Sequence, residues 1–125
     1  MQTKTRGIRG ANVVKENSKP AIFEATKLVL ETMLESNQVI IDDIAAIYFT
    51  LTPDLDAAFP AEVARQMGMT SVPLLCIQEI GVPGSLERVV RVLMIVNTNL
   101  TQKEVKHIFL GDAQKLRDDL NQEGI

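Results

Sequence analysis

Cysteine, histidine, tryptophan and long apolar runs are all scarce in this chain. Of its 125 residues a single one is cysteine, Cys76, so an intrachain disulfide is impossible and a reducing compartment is expected. His107 is the sole histidine, so a Ser–His–Asp triad would have to use it. No histidine cluster, CxxC pair, Walker loop or nucleophile elbow is present. Tryptophan is absent and aromatics make up 4% of the chain, which disfavours base-stacking or sugar-stacking surfaces. The net charge is −3 with no run of lysines and arginines, so nucleic acid is not an expected partner. The longest apolar stretches are far too short to span a membrane. The opening MQTKTRGIRG is polar and lacks the apolar core of a secretory signal, so a cytoplasmic address is expected.

What is present is enough for one domain over residues 1–125, at 46% hydrophobic and 23% charged residues. TKTRGIRGANVV reads as a strand whose glycines, Gly7 and Gly10, mark close approach of another group. SKPAIFEATKLVLETMLESN reads as the one long helix, with Ser18 as N-cap, Pro20 in the first turn and Ile22, Ala25, Val29 and Met33 on one stripe. IAAIYFTLT, SVPLLCIQEI, LERVVRVLMIVNT and KHIFL read as further strands. PAEVARQMG reads as a short helix between proline and glycine, and TQKEV as a turn capped by Thr101. The sum is an α/β or α+β domain: a mixed sheet of about five strands with the long helix on one face. Strands apolar at both parities need cover on the other face too, which points to an oligomer.

Arg91 stands out because it sits in ERVVRVLMIV, a run otherwise suited to a buried strand. An unpaired guanidinium there would cost several kcal/mol or more. Two accounts are open: an internal salt bridge, with Glu79 as a candidate, or a pocket wall whose fork grips carboxylate or phosphate. Arg6, Arg9, Arg65, Arg88 and Arg117 are spread along the chain and taken singly read as solvated. His107 reads as an imidazole beside a strand, and Cys76 as a small core hydrophobe.

RGIRGA, TPDL-AAFPAE-AR, VPLLCIQEI, VPGSL-RVVRVL, HIFL and LR-DL occur in that order from about Arg6 to Leu120. Together they resemble the monofunctional chorismate mutases of the small trimeric α/β-barrel class. The resemblance implies a homotrimer forming a pseudo-α/β-barrel, with pockets at subunit interfaces that take the dianion chorismate. It implies an intramolecular [3,3] rearrangement to prephenate on the way to phenylalanine and tyrosine, with no cofactor. Arg91 matches the cation facing the substrate ether oxygen, and Arg9 the arginine gripping a carboxylate. Glu79 and Cys76 match the pair near the ring hydroxyl. Phe59 and Leu116 match apolar pocket walls, with Ala61 and Leu74 beside them. Arg65 and Arg117 match arginines that collect the substrate, Arg117 at the edge of a C-terminal tail expected to act as a flap from about residue 118.

Two residues depart from the family pattern. Phe109 stands where tyrosine is usual, and the lost hydroxyl predicts weaker substrate binding. Glu62 stands where some members carry lysine, a weak repulsion for a dianion. Cys76 and Glu79 are three residues apart, which on a regular strand puts them on opposite faces. One shared pocket therefore predicts a bend or bulge near Ile77 and Gln78. A non-catalytic anion-binding or regulatory trimer on the same scaffold is the alternative function.

Overall fold

The computed structural model describes residues 3–116. Five strands, β1 (Lys4–Val13), β2 (Ile44–Leu51), β3 (Leu74–Gln78), β4 (Val89–Thr98) and β5 (Ile108–Phe109), form one sheet in the order β3-β2-β4-β1-β5. β4 pairs antiparallel with β1 and with β2, while β2–β3 and β1–β5 are parallel. The sheet is mixed, as the sequence predicts, and it is open: this chain alone does not close a barrel. Strand ends are trimmed relative to the apolar runs, chiefly at Ser71–Pro73 and Leu86–Arg88, where proline and a left-handed Arg88 (φ 51°) end the pairing.

Helix α1 (Lys19–Ser36) begins where the Ser18 side chain accepts a hydrogen bond from the Ala21 N–H. Its stripe of Ala21, Ile22, Ala25, Val29, Leu30 and Met33 is buried against one sheet face. Gly10 permits the contact, since a Cβ there would overlap the Met33 sulfur and lie 3.1 Å from Val29 Cγ2. The helix stops at Asn37, whose amide donates to the carbonyls of Met33 (3.0 Å) and Lys106 (2.9 Å). Asn37 Oδ1 accepts from the Lys106 N–H at 2.8 Å, so the end of α1 is tied to the segment leading into β5. Helix α2 (Ala61–Gln66) buries Ala61, Val63 and Ala64 in the same core.

Period-two alternation divides the sheet cleanly. Ile8, Ile47, Phe49, Val92, Met94 and Val96 point into the core beneath the helices. Arg9, Ala11, Tyr48, Thr50, Arg91 and Leu93 share the opposite face by register. One end of that face is roofed by a small cluster of Ala11, Val89, Phe109, Ala113 and Leu116. The rest is not: Tyr48, Leu75, Ile77 and Leu93 are 39–52% exposed within one chain.

Candidate active site

Arg91 occupies the middle of β4, opposite Ala11 of β1 and Thr50 of β2. Both accounts of it hold together. Its Nε lies 2.9 Å from Glu79 Oε1, and its side chain keeps 36% exposure toward a cavity of about 480 Å³. This contact is an ion pair without hydrogen-bond direction, because the solvent-excluded Nε–H has no well-aimed acceptor. Glu79 Oε1 also accepts from the Thr50 hydroxyl at 2.8 Å. Thr50 therefore fixes the carboxylate that fixes the guanidinium. Sequence reasoning missed Thr50, because only the β2–β4 register places it opposite Arg91.

Arg9 reaches the same cavity from β1, with its guanidinium carbon 5.4 Å from the centroid of the Phe109 ring. Phe109 is 7% exposed and forms part of the wall. Tyr48, Ile77 and Leu93 complete an apolar rim. Two guanidinium groups and one carboxylate thus line one concavity, a net positive site of a size suited to a small anion. Leu116 packs beneath Phe109 and Ala11 rather than on the cavity wall.

The remaining predicted residues lie elsewhere. The register of β3 on β2 is unbroken from Leu74 to Gln78, and the Glu79 N–H continues it to the Leu51 carbonyl at 2.8 Å. The bend expected near Ile77 and Gln78 is absent, because a continuous parallel ladder leaves no unpaired residue to bulge. The sheet's register shift falls instead between Ile44 and Ala46. Cys76 accordingly faces the helix side and Glu79 the open side.

Cys76 and Phe59 line a second concavity of about 400 Å³, with Leu51, Leu55, Lys19 and Glu62 on its wall. Phe59 is 67% exposed there. Ala61 is buried at the start of α2, Leu74 packs against the main core, and Arg65 is exposed on α2. Burial pushes the Cys76 thiol up, against the opposing pull of the Ala61 backbone and the Arg65 charge, so the group is held protonated. Glu62 is not alone: Lys19 Nζ stands 3.7 Å from its Oε2, which offsets the repulsion expected of a dianion. Arg117 and the tail lie outside the described residues. No helix among the described residues is long and apolar enough to cross a membrane.

The family model described as chorismate mutase type I matches residues 5–120. Chorismate mutase AroH of Thermus thermophilus is 52% identical over 116 residues, covering 92% of this chain and 95% of that protein. Chorismate mutase AroH of Bacillus subtilis (strain 168) is 38% identical over 117 residues, covering 93% and 92%. Among solved structures, a chorismate mutase from Clostridium thermocellum superposes with a TM-score of 0.86 at 50% identity, covering 87% of this chain and 97% of that one.

Proposed function

The chain belongs to the type I chorismate mutases and rearranges chorismate to prephenate, an isomerase step in aromatic amino-acid biosynthesis, and from that premise we propose how its residues do so. One carbon–oxygen bond breaks while one carbon–carbon bond forms, within a single molecule. Negative charge gathers on the ether oxygen as its bond stretches. Arg91 meets that oxygen. Held by a stiff strand and by Glu79, it needs no reorganisation to stabilise the new charge. Pairing through Nε leaves the terminal nitrogens to address the ligand. Arg9 binds a substrate carboxylate, and Phe109, Tyr48 and Leu93 exclude water and favour the folded reactive conformer. The non-catalytic alternative is not favoured by relatives named as chorismate mutases.

The observation that carries the proposal is the split of the matched residues between two faces. Arg91, Glu79, Arg9 and Phe109 share one concavity, while Phe59, Cys76, Ala61 and Arg65 gather about the other. Within one chain, among the described residues, the two linings share Ile77 alone, on the edge strand between the faces. A homotrimer that sets one subunit's Arg91 face against its neighbour's Phe59 face resolves this, and it covers the apolar rim of Tyr48, Leu75, Ile77 and Leu93. Chorismate then sits between subunits, with the exposed Arg65 of the neighbour's α2 helping to collect the dianion. The trimer, its shared pockets and a cytoplasmic address are parts of this proposal.

Subunit mixing tests it. Arg91→Ala and Arg65→Glu variants, each inactive alone, are unfolded together and reassembled. Random assortment in a shared-site trimer gives about a quarter of the pockets two intact halves, so turnover reappears. Mixtures as inactive as their components contradict the shared site.

A further inference from the structure

The outer edge of β1, facing away from β4, is held in an unusual way around Arg9. Its outward-facing backbone groups fall at alternate residues: Gly7, Arg9 and Ala11. From Gly10 onward the edge is met by β5, which pairs in parallel register as Gly10 with Ile108 and Ala11 with Phe109, the Leu110 N–H donating to the Ala11 carbonyl at 3.0 Å. At Gly7 the Gln102 side chain does the work of a neighbouring strand. Its amide donates to the Gly7 carbonyl at 2.7 Å and its oxygen accepts from the Gly7 N–H at 3.0 Å. At Arg9 the backbone N–H donates to Nδ1 of His107 at 2.9 Å. His107 is half-buried and immediately precedes β5, the strand that carries Phe109. Its neighbour Lys106 is clamped to the end of α1 by the two hydrogen bonds with Asn37.

We propose that His107 is a positioning residue for substrate binding: its Nδ1 fixes the backbone of Arg9, and so the placement of the Arg9 guanidinium against the Phe109 ring. The imidazole can accept there only with Nδ1 unprotonated, so the contact also sets the ring's tautomer. The guanidinium swings on a long flexible side chain, and its reach into the cavity depends on where its Cα is held. On the β4 side that Cα faces Leu93. On the outer side its N–H is held by His107, one residue before the pairing with β5 begins at Gly10. The histidine itself does not line the cavity, so it acts through Arg9 and not on the reacting atoms. This inference rests on the proposed role of Arg9 as a carboxylate-binding group.

Steady-state kinetics with chorismate test it on four proteins: His107→Ala, His107→Asn, Arg9→Ala and the double variant His107→Ala/Arg9→Ala. Asparagine puts an amide oxygen where the imidazole presents Nδ1, and so keeps the acceptor. His107→Ala is expected to raise KM by about three- to tenfold, the range of one lost neutral hydrogen bond, with kcat little changed. His107→Asn is expected to restore KM to near the wild-type value. Arg9→Ala is expected to raise KM further, and the double variant to match Arg9→Ala alone, because a residue acting through Arg9 has nothing left to act on. Should His107→Ala fail to assemble, His107→Leu supplies bulk without the acceptor. A high KM for Arg9→Ala beside a silent His107→Ala, no rescue by asparagine, or equal His107 effects with and without Arg9 overturns the inference alone. A wild-type KM for Arg9→Ala overturns the role of Arg9 and the inference with it.

Discussion

Phe109→Tyr should improve this enzyme's hold on its substrate. The ring is 7% exposed, packs on Ala11, Val89, Ala113 and Leu116, and lies 5.4 Å from the Arg9 guanidinium carbon on the wall of the Arg91 cavity. A para-hydroxyl directed into that cavity would stand beside Arg9, where a substrate carboxylate is proposed to bind. A hydrogen bond to a charged group contributes about 1.5–3 kcal/mol. Desolvating the phenol and fixing its hydroxyl offset part of that, leaving about 1 kcal/mol, a five- to tenfold change in binding. The cation–π contact survives, because a tyrosine face attracts a guanidinium as a phenylalanine face does. The gain falls equally on bound substrate and transition state, so KM should drop five- to tenfold with kcat within about twofold of wild type. Following chorismate loss by its diene absorbance gives both constants. An unchanged KM, or a fall in kcat alone, would refute the placement of this ring beside a bound carboxylate.

Two other outcomes are expected away from the reacting atoms. Gly10→Ala forces a Cβ into the Met33 sulfur and close to Val29, an overpacking cost of about 1–3 kcal/mol. At roughly 4 °C per kcal/mol for a chain of this size, the melting temperature should fall about 4–12 °C at fixed protein concentration, and an unchanged value would contradict the close seating of α1. Because the folded-state pKa of the Cys76 thiol is raised, the folded protein retains a proton that the unfolded chain releases. Its contribution to stability is therefore intact below the ordinary thiol range and declines as pH rises above about 8.5. Thermal melts from pH 7 to 10 should show a steeper alkaline loss for the wild type than for Cys76→Ala, and parallel curves would contradict the assigned burial.

Much of the fold could be read from local chemistry. Val90, Val92, Met94 and Val96 alternate with Val89, Arg91, Leu93 and Ile95, and β4 buries the first set beneath the helices as that period requires. Gly10 was legible as a point of close approach, though not which side chain approaches. Thr50 and His107 were not legible as site-supporting groups. Both act through cross-strand neighbours, Thr50 on Glu79 and His107 on Arg9, and register is set by long-range pairing rather than by local sequence. Cys76 and Glu79 are the instructive pair. Resemblance asked for one pocket and strand period asked for two faces. The period held, since the β2–β3 ladder runs without interruption, and the proposed sharing of each pocket between two subunits is what would reconcile it with the resemblance. Lys19 was likewise invisible as the partner of Glu62, because it comes from the first turn of α1, far away in the chain.

Turnover by Arg91 variants reaches the heart of the account. With oligomer mass and melting behaviour checked alongside, Arg91→Ala should lose about a hundredfold or more in kcat, the toll of removing one preorganised group facing developing negative charge. Arg91→Lys should recover little, since an ammonium cannot both pair with Glu79 through a fixed fork and address the ether oxygen. An assembled Arg91→Ala protein that converts chorismate within a fewfold of the wild-type kcat would contradict the mechanism.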